Sequence, residues 1–105
     1  MIEIDRRYLL TTLAALIRTN SINPSLVPGG AGEAAIARYV ADSLQRIGLE
    51  VATYEAMPGR PSVVGTLKGK GGGRSLMLNA HMDTVGVDGM PDPFTPTPRE
   101  GKMFG

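Results

Sequence analysis

The hydrophobic period of this chain changes once, at Gly48-Leu49, and the change dictates helices first and extended segments after. Before it, Leu9, Leu13, Leu16 and Ile17 fall on one face at helical spacing, with Leu10 beside them. This predicts a helix over 4–19, with Asp5 serving its start and Arg18 suiting its last turn. Asn20-Ser21-Ile22-Asn23-Pro24 breaks the pattern, because a residue before proline is steered out of the α region. A loop rich in Ser, Pro and Gly follows over 21–32. The second predicted helix spans 33–47. Ile36, Val40, Leu44 and Ile47 form its stripe, and Ala37 and Ala41 let it pack closely. Gly48 is placed as a left-handed C-cap, with Leu49 closing the hydrophobic contact behind it.

After the change, Glu50–Glu55 alternates loosely and reads as a half-exposed strand. Met57–Pro61 is a turn and Ser62–Leu67 a second strand. Lys68–Arg74 is a glycine-rich turn expected to be mobile. Ser75-Leu76-Met77-Leu78-Asn79-Ala80 is a short apolar run that reads as a strand buried on both faces. The first two strands are expected as a hairpin at a sheet edge, with the third further inside. Pro91, Pro93, Pro96 and Pro98 exclude a central strand over 88–98. They leave room for a small hairpin between Phe94–Thr97 and Lys102–Phe104, turned by Glu100-Gly101. The expected fold class is α/β, with two helices packed on a short mixed sheet. At 105 residues the chain is bounded to one domain with a modest core.

Composition removes several function classes. With 42% hydrophobic and 20% charged residues the chain is not of disordered type. Eleven basic against ten acidic residues leave no basic face for a phosphate backbone, so no nucleic-acid partner is expected. Absence of cysteine excludes disulfide scaffolds, thiolate metal sites and cysteine nucleophiles. No stretch approaches the roughly 20 apolar residues of a membrane span, and the N-terminus lacks the order of a signal peptide. No membrane partner is therefore expected, and a cytoplasmic location is the default.

Two glycine motifs invite a phosphate and both fall short. Gly30-Ala31-Gly32-Glu33-Ala34-Ala35 fits G-x-G-x-x-A and opens a helix. The strand that a dinucleotide site needs before it is missing, since Ser21–Pro28 carries two prolines. Gly65-Thr66-Leu67-Lys68-Gly69-Lys70 has three residues between its glycines where a P-loop has four, and Gly71 stands where Ser or Thr would hold magnesium. A nucleophile elbow G-x-S-x-G does not occur.

The remaining constellation is Asn79-Ala80-His81-Met82-Asp83-Thr84-Val85, which contains the only histidine. A lone histidine after an apolar strand is usually a satisfied or surface imidazole. The spacing points elsewhere: residues i and i+2 of an extended segment face one side. His81 and Asp83 would project together from the carboxyl end of a strand, where open α/β sheets place their sites. One ring nitrogen of His81 could bind a metal while Asp83 accepts a hydrogen bond from the other, fixing the tautomer.

His81-Met82-Asp83-Thr84-Val85 resembles the H-x-D-T/V-V motif of the zinc-dependent amidohydrolases that include acetylornithine deacetylase, succinyl-diaminopimelate desuccinylase, aminoacylase and carboxypeptidase G2. Other segments agree in order and spacing. Asn23-Pro24-Ser25 with Pro28–Glu33 resembles the segment before the family's second helix. Ser75–Ala80 resembles the strand leading to the histidine. Asp92-Pro93-Phe94 with Gly101–Gly105 resembles the approach to the next metal motif.

The resemblance implies that His81 is a ligand of one zinc in a two-zinc site, where cobalt could substitute, and that Asp83 is the active-site aspartate orienting it. It implies a partial zinc-peptidase-like catalytic domain over 1–105, acting on amide bonds of N-acyl amino acids or small peptides. In the family Gly105 would be followed by an arginine, a glycine and then a metal-bridging aspartate, with the glutamate base and further ligands beyond. The 105 residues alone are therefore expected to be inactive and to bind zinc weakly or not at all. The alternative is an inert fragment or a small binding module. The helix stripes should pack on Ser75–Ala80 and Val63–Leu67. Leu78, if core, should cost ~2–4 kcal/mol on truncation. Leu76, Met77 and Leu78 are expected beside an edge or face that a missing half would cover, which predicts self-association.

Overall fold

The computed structural model describes residues 1–105. Its elements, in chain order, are α1 (Arg6–Arg18), α2 (Ala34–Arg46), β1 (Glu50–Met57), β2 (Arg60–Thr66), β3 (Thr97–Arg99) and β4 (Lys102–Phe104). Both helices lie within the predicted spans. The Asp5 side chain caps α1 by accepting the Tyr8 N–H at 2.9 Å. At the end of α2 the Gly48 N–H donates to the Gln45 carbonyl at 2.9 Å and the Leu49 N–H to the Leu44 carbonyl at 3.1 Å. With Gly48 at φ +92°, this is the predicted left-handed cap in its Schellman form.

β1 and β2 pair antiparallel, with Glu50 opposite Thr66 and Thr53 opposite Val63, and the register shifts between Tyr54 and Met57. α2 packs on this hairpin, burying Ile36 and Ala37. Gly65 permits the close approach: a Cβ there would stand 2.8 Å from Leu49 Cδ2 and 2.9 Å from Leu44 Cδ1. β3 and β4 form a separate hairpin through Glu100 and Gly101, both at positive φ. The predicted turn is present, but its first strand is Thr97–Arg99 rather than 94–97.

The largest departure is Ser75–Ala80. It pairs with no strand, and Leu76, Met77 and Leu78 are 85%, 83% and 89% exposed. The expected third strand and the mixed sheet are corrected accordingly: two two-stranded antiparallel sheets stand apart, and the one parallel pairing is the isolated bridge Ile22–Thr84. The helix stripes do not cover this run, and α1 buries none of its own residues. The physical reason is that a strand becomes a strand through its ladder partners, and no segment of these 105 residues lies alongside.

The core is correspondingly small, with six of 105 residues buried. The accessible surface is 8667 Å², against about 5,700 Å² expected for a folded monomer of this mass. The radius of gyration is 15.9 Å, where about 13 Å is usual. No helix is long and apolar enough to cross a membrane.

Candidate functional site

The site is assembled where the loop after α1 runs beside the segment after Ala80. The Asn23 N–H donates to the Thr84 carbonyl at 2.9 Å, and the Thr84 N–H donates to the Ser21 carbonyl at 3.0 Å. This short parallel pairing is the rail that brings Ser21–Asn23 against His81–Thr84. The loop can lie this close because Gly30 lacks a side chain: a Cβ there would sit 2.6 Å from the Ile22 carbonyl oxygen. Gly32, at φ +71°, donates its N–H to that same oxygen at 3.0 Å.

His81 and Asp83 share one side of the chain, as their spacing predicts. His81 Nδ1 lies 3.1 Å from Asp83 Oδ1 and 2.9 Å from the Asp83 carbonyl oxygen. Both neighbours are acceptors, so the neutral ring carries its proton on Nδ1 and leaves the Nε2 lone pair free. The imidazole is 85% exposed while the Asp83 side chain is only 26% exposed. The ring is thus presented to solvent by a carboxylate that is itself held in the fold.

Asp83 is held by a residue from the other side of the rail. Asn23 donates from Nδ2 to Asp83 Oδ2 at 2.7 Å. This bond, opposed by partial desolvation and assisted by His81, keeps the Asp83 carboxyl below its ordinary value of 3.8.

A second polar cluster fixes the loop from below. Arg60, at the start of β2, pairs with Glu33 at the foot of α2 through both Nε and an Nη, in a fork geometry. It also donates to Ser25 Oγ at 3.1 Å. Hydrogen bonding to Glu33 raises the Arg60 pKa from its ordinary value, with the charges of Glu33 and Asp83 adding to it against desolvation. Both clusters open onto a cleft of about 980 Å³ lined in part by Ser21, Ile36, Arg60, His81 and Asp83. Ser21 Oγ is buried there without a hydrogen-bond partner.

The sequence singled out His81 and Asp83, and the structure brings them together. Nothing in the sequence pairs Arg60 with Glu33 or Asn23 with Asp83; the structure joins both. Asn23 and Glu33 lie in segments that resemble the amidohydrolases, but Arg60 carries no signal beyond its place in a predicted turn.

As a metal centre the donor set is incomplete. No three His, Cys, Asp or Glu side chains cluster, whereas catalytic zinc takes three protein ligands. His81 Nε2 is one available donor, and these 105 residues do not by themselves fit a zinc ion.

Comparison with known proteins adds two relatives. Over 99 residues, 89% of this chain, it is 31% identical to the N-formyl-4-amino-5-aminomethyl-2-methylpyrimidine deformylase of Halalkalibacterium halodurans, covering 23% of that protein. Over 76 residues, 67% of this chain, it is 33% identical to the Bacillus subtilis deformylase of the same name, covering 18% of it. The chain therefore spans less than a quarter of the length of the curated relatives it matches. No family model matches the sequence. No solved structure matches it either.

Proposed function

We propose that this chain is the histidine-bearing part of a hydrolase that cleaves amide bonds in small molecules, of the zinc-dependent amidohydrolase family that its sequence resembles. The observation that carries the reading is the His81–Asp83 pair, with Nδ1 engaged and Nε2 free at an open cleft. Similarity to two proteins named as deformylases supports the hydrolase class. In this reading the substrates are N-formyl or other N-acyl amines, including N-acyl amino acids and small peptides.

His81 is the proposed metal ligand and Asp83 the residue that orients it. Zinc, as two ions in the resembling family, would polarise an amide carbonyl and acidify a bound water when present. Because the donor set here is incomplete, the further ligands and the proton-accepting group belong to polypeptide beyond these residues, and no step through the metal is drawn from this chain. The excess surface and the unpaired Ser75–Ala80 ribbon support a catalytic domain completed by that polypeptide.

The test is an assay of the longer polypeptide on N-formyl, N-acetyl and N-succinyl substrates, with zinc and after chelation. Metal-dependent release of free amine is expected; no release in either condition would remove the assignment.

A second reading applies to the 105 residues alone. One imidazole and only six buried residues favour an inert segment that associates with a second copy through its unpaired ribbon. Turnover by the 105-residue chain itself would exclude that reading.

A further inference from the structure

We infer that Asn23 is a positioning residue of this site: by holding the Asp83 carboxylate, its side-chain amide biases which nitrogen of His81 carries the proton. The inference deepens the reading of His81 as the working group and rests on it for its functional meaning.

The Asn23 amide has one allowed orientation. Its Oδ1 accepts the Ser25 N–H at 2.8 Å, and its Nδ2 donates to Asp83 Oδ2 at 2.7 Å. Turned over, the amide would set oxygen against carboxylate and NH₂ against N–H, losing both bonds. The residue is fixed in the backbone as well. Its N–H is bound by Thr84, and its carbonyl accepts the Leu26 and Val27 N–H groups at 3.1 and 2.9 Å. Ser25 in turn receives the Arg60 guanidinium, which Glu33 holds.

From this anchored donor the effect runs in one direction. Oδ2 of Asp83 is occupied by Asn23, so the carboxylate cannot rotate freely, and Oδ1 stays at His81 Nδ1. His81 is 85% exposed, so hydrogen bonds and not packing hold its ring, the other acceptor at Nδ1 being the Asp83 carbonyl at 2.9 Å. Without Asn23 the Asp83 carboxylate is free to turn to solvent, which leaves Nδ1 the Asp83 carbonyl as its one acceptor and moves the ring towards the Nε2–H form favoured by a free imidazole. That form offers no lone pair at Nε2.

The experiment is nitrogen-15 spectroscopy of the imidazole in the 105-residue chain, where His81 is the only histidine. It is run at one alkaline pH, where the ring is neutral. The wild type should show mainly Nδ1–H, and one Asn23 side-chain proton should be shifted downfield and slow to exchange. Asn23→Asp keeps the acceptor for the Ser25 N–H but replaces the donor with a second carboxylate facing Asp83. Asn23→Ser keeps a turn acceptor but cannot reach Asp83. Both should raise the share of Nε2–H over the wild type while the Ser21–Thr84 amide signals stay in place. A merely structural turn residue would leave the tautomer unmoved in these variants. A tautomer ratio unchanged from the wild type in either folded variant overturns the inference. So does a wild type whose ring is already mainly Nε2–H, or whose Asn23 protons exchange as in a free amide, and these two results need no variant to fold. None of the readouts uses activity, so a chain without hydrolytic turnover fails the functional reading and leaves this one standing.

Discussion

Asn23 and Asp83 are 60 residues apart in the chain and meet at 2.7 Å, amide to carboxylate. This contact joins the loop after α1 to the segment that presents the only histidine. It also makes Asp83 an acid of lowered pKa, with Asn23 as the leading cause.

A pH dependence follows from that direction. A carboxyl lowered in the folded state adds stability that is present in full above its unfolded value and is lost as pH falls through the folded one. The Asn23–Asp83 bond should therefore persist on acidification through 3.8, the ordinary value, and break only below it. The Asn23 side-chain amide resonances report the transition. A midpoint at or above the ordinary value would contradict the account.

Burial separates two aliphatic residues. Ile36 is 6% exposed and Leu78 is 89% exposed. Ile36→Ala should cost about 2–5 kcal/mol, and Leu78→Ala within about 0.5 kcal/mol in this chain. Denaturant unfolding of both variants checks this, and equal costs would show that the ribbon is packed after all. The expectation of a strand buried on both faces at Ser75–Ala80 is thus corrected at Leu78, because nothing in the 105 residues covers it.

Gly30 is a steric requirement of the site. Gly30→Ala would bring Cβ to 2.6 Å from the Ile22 carbonyl and 3.1 Å from that of Val27, both main-chain atoms that cannot swing aside. A cost of about 1–3 kcal/mol is expected, together with loss of the Asn23–Asp83 contact. Unchanged unfolding and unchanged Asn23 amide signals would show that the loop does not pack as described.

These contrasts show what the letters could and could not convey. Both helices were legible because their stripes follow the helical period and because Gly48-Leu49 spells the cap that ends α2. The His81–Asp83 pairing was legible because it is local, two residues apart on extended backbone. Ser75–Ala80 misled, since an apolar run reports a preference for burial and does not say whether the covering partner is within the same 105 residues. Asn23–Asp83 and Glu33–Arg60 were out of reach for another reason. They depend on how a loop is folded back, which leaves no periodic trace.

The ribbon also makes a claim about association. Its edges are unpaired and its side chains apolar, a template for strand addition. Sedimentation of the 105-residue chain should show dimers or larger species as concentration rises. Leu76→Lys together with Leu78→Lys should shift it to monomer. A clean monomer of the wild type at high concentration would count against the ribbon as a pairing surface.

The most direct test of the functional account is amide hydrolysis by the longer polypeptide carrying this segment, with zinc supplied, compared with its His81→Ala variant. Changing a residue that only supports a metal ligand typically costs 10–100-fold. Removing the proposed ligand itself should therefore lower kcat/KM by more than about 100-fold, without a matching loss of stability, since the ring is exposed. A His81→Ala enzyme that retained its activity would show that this imidazole takes no part in the reaction.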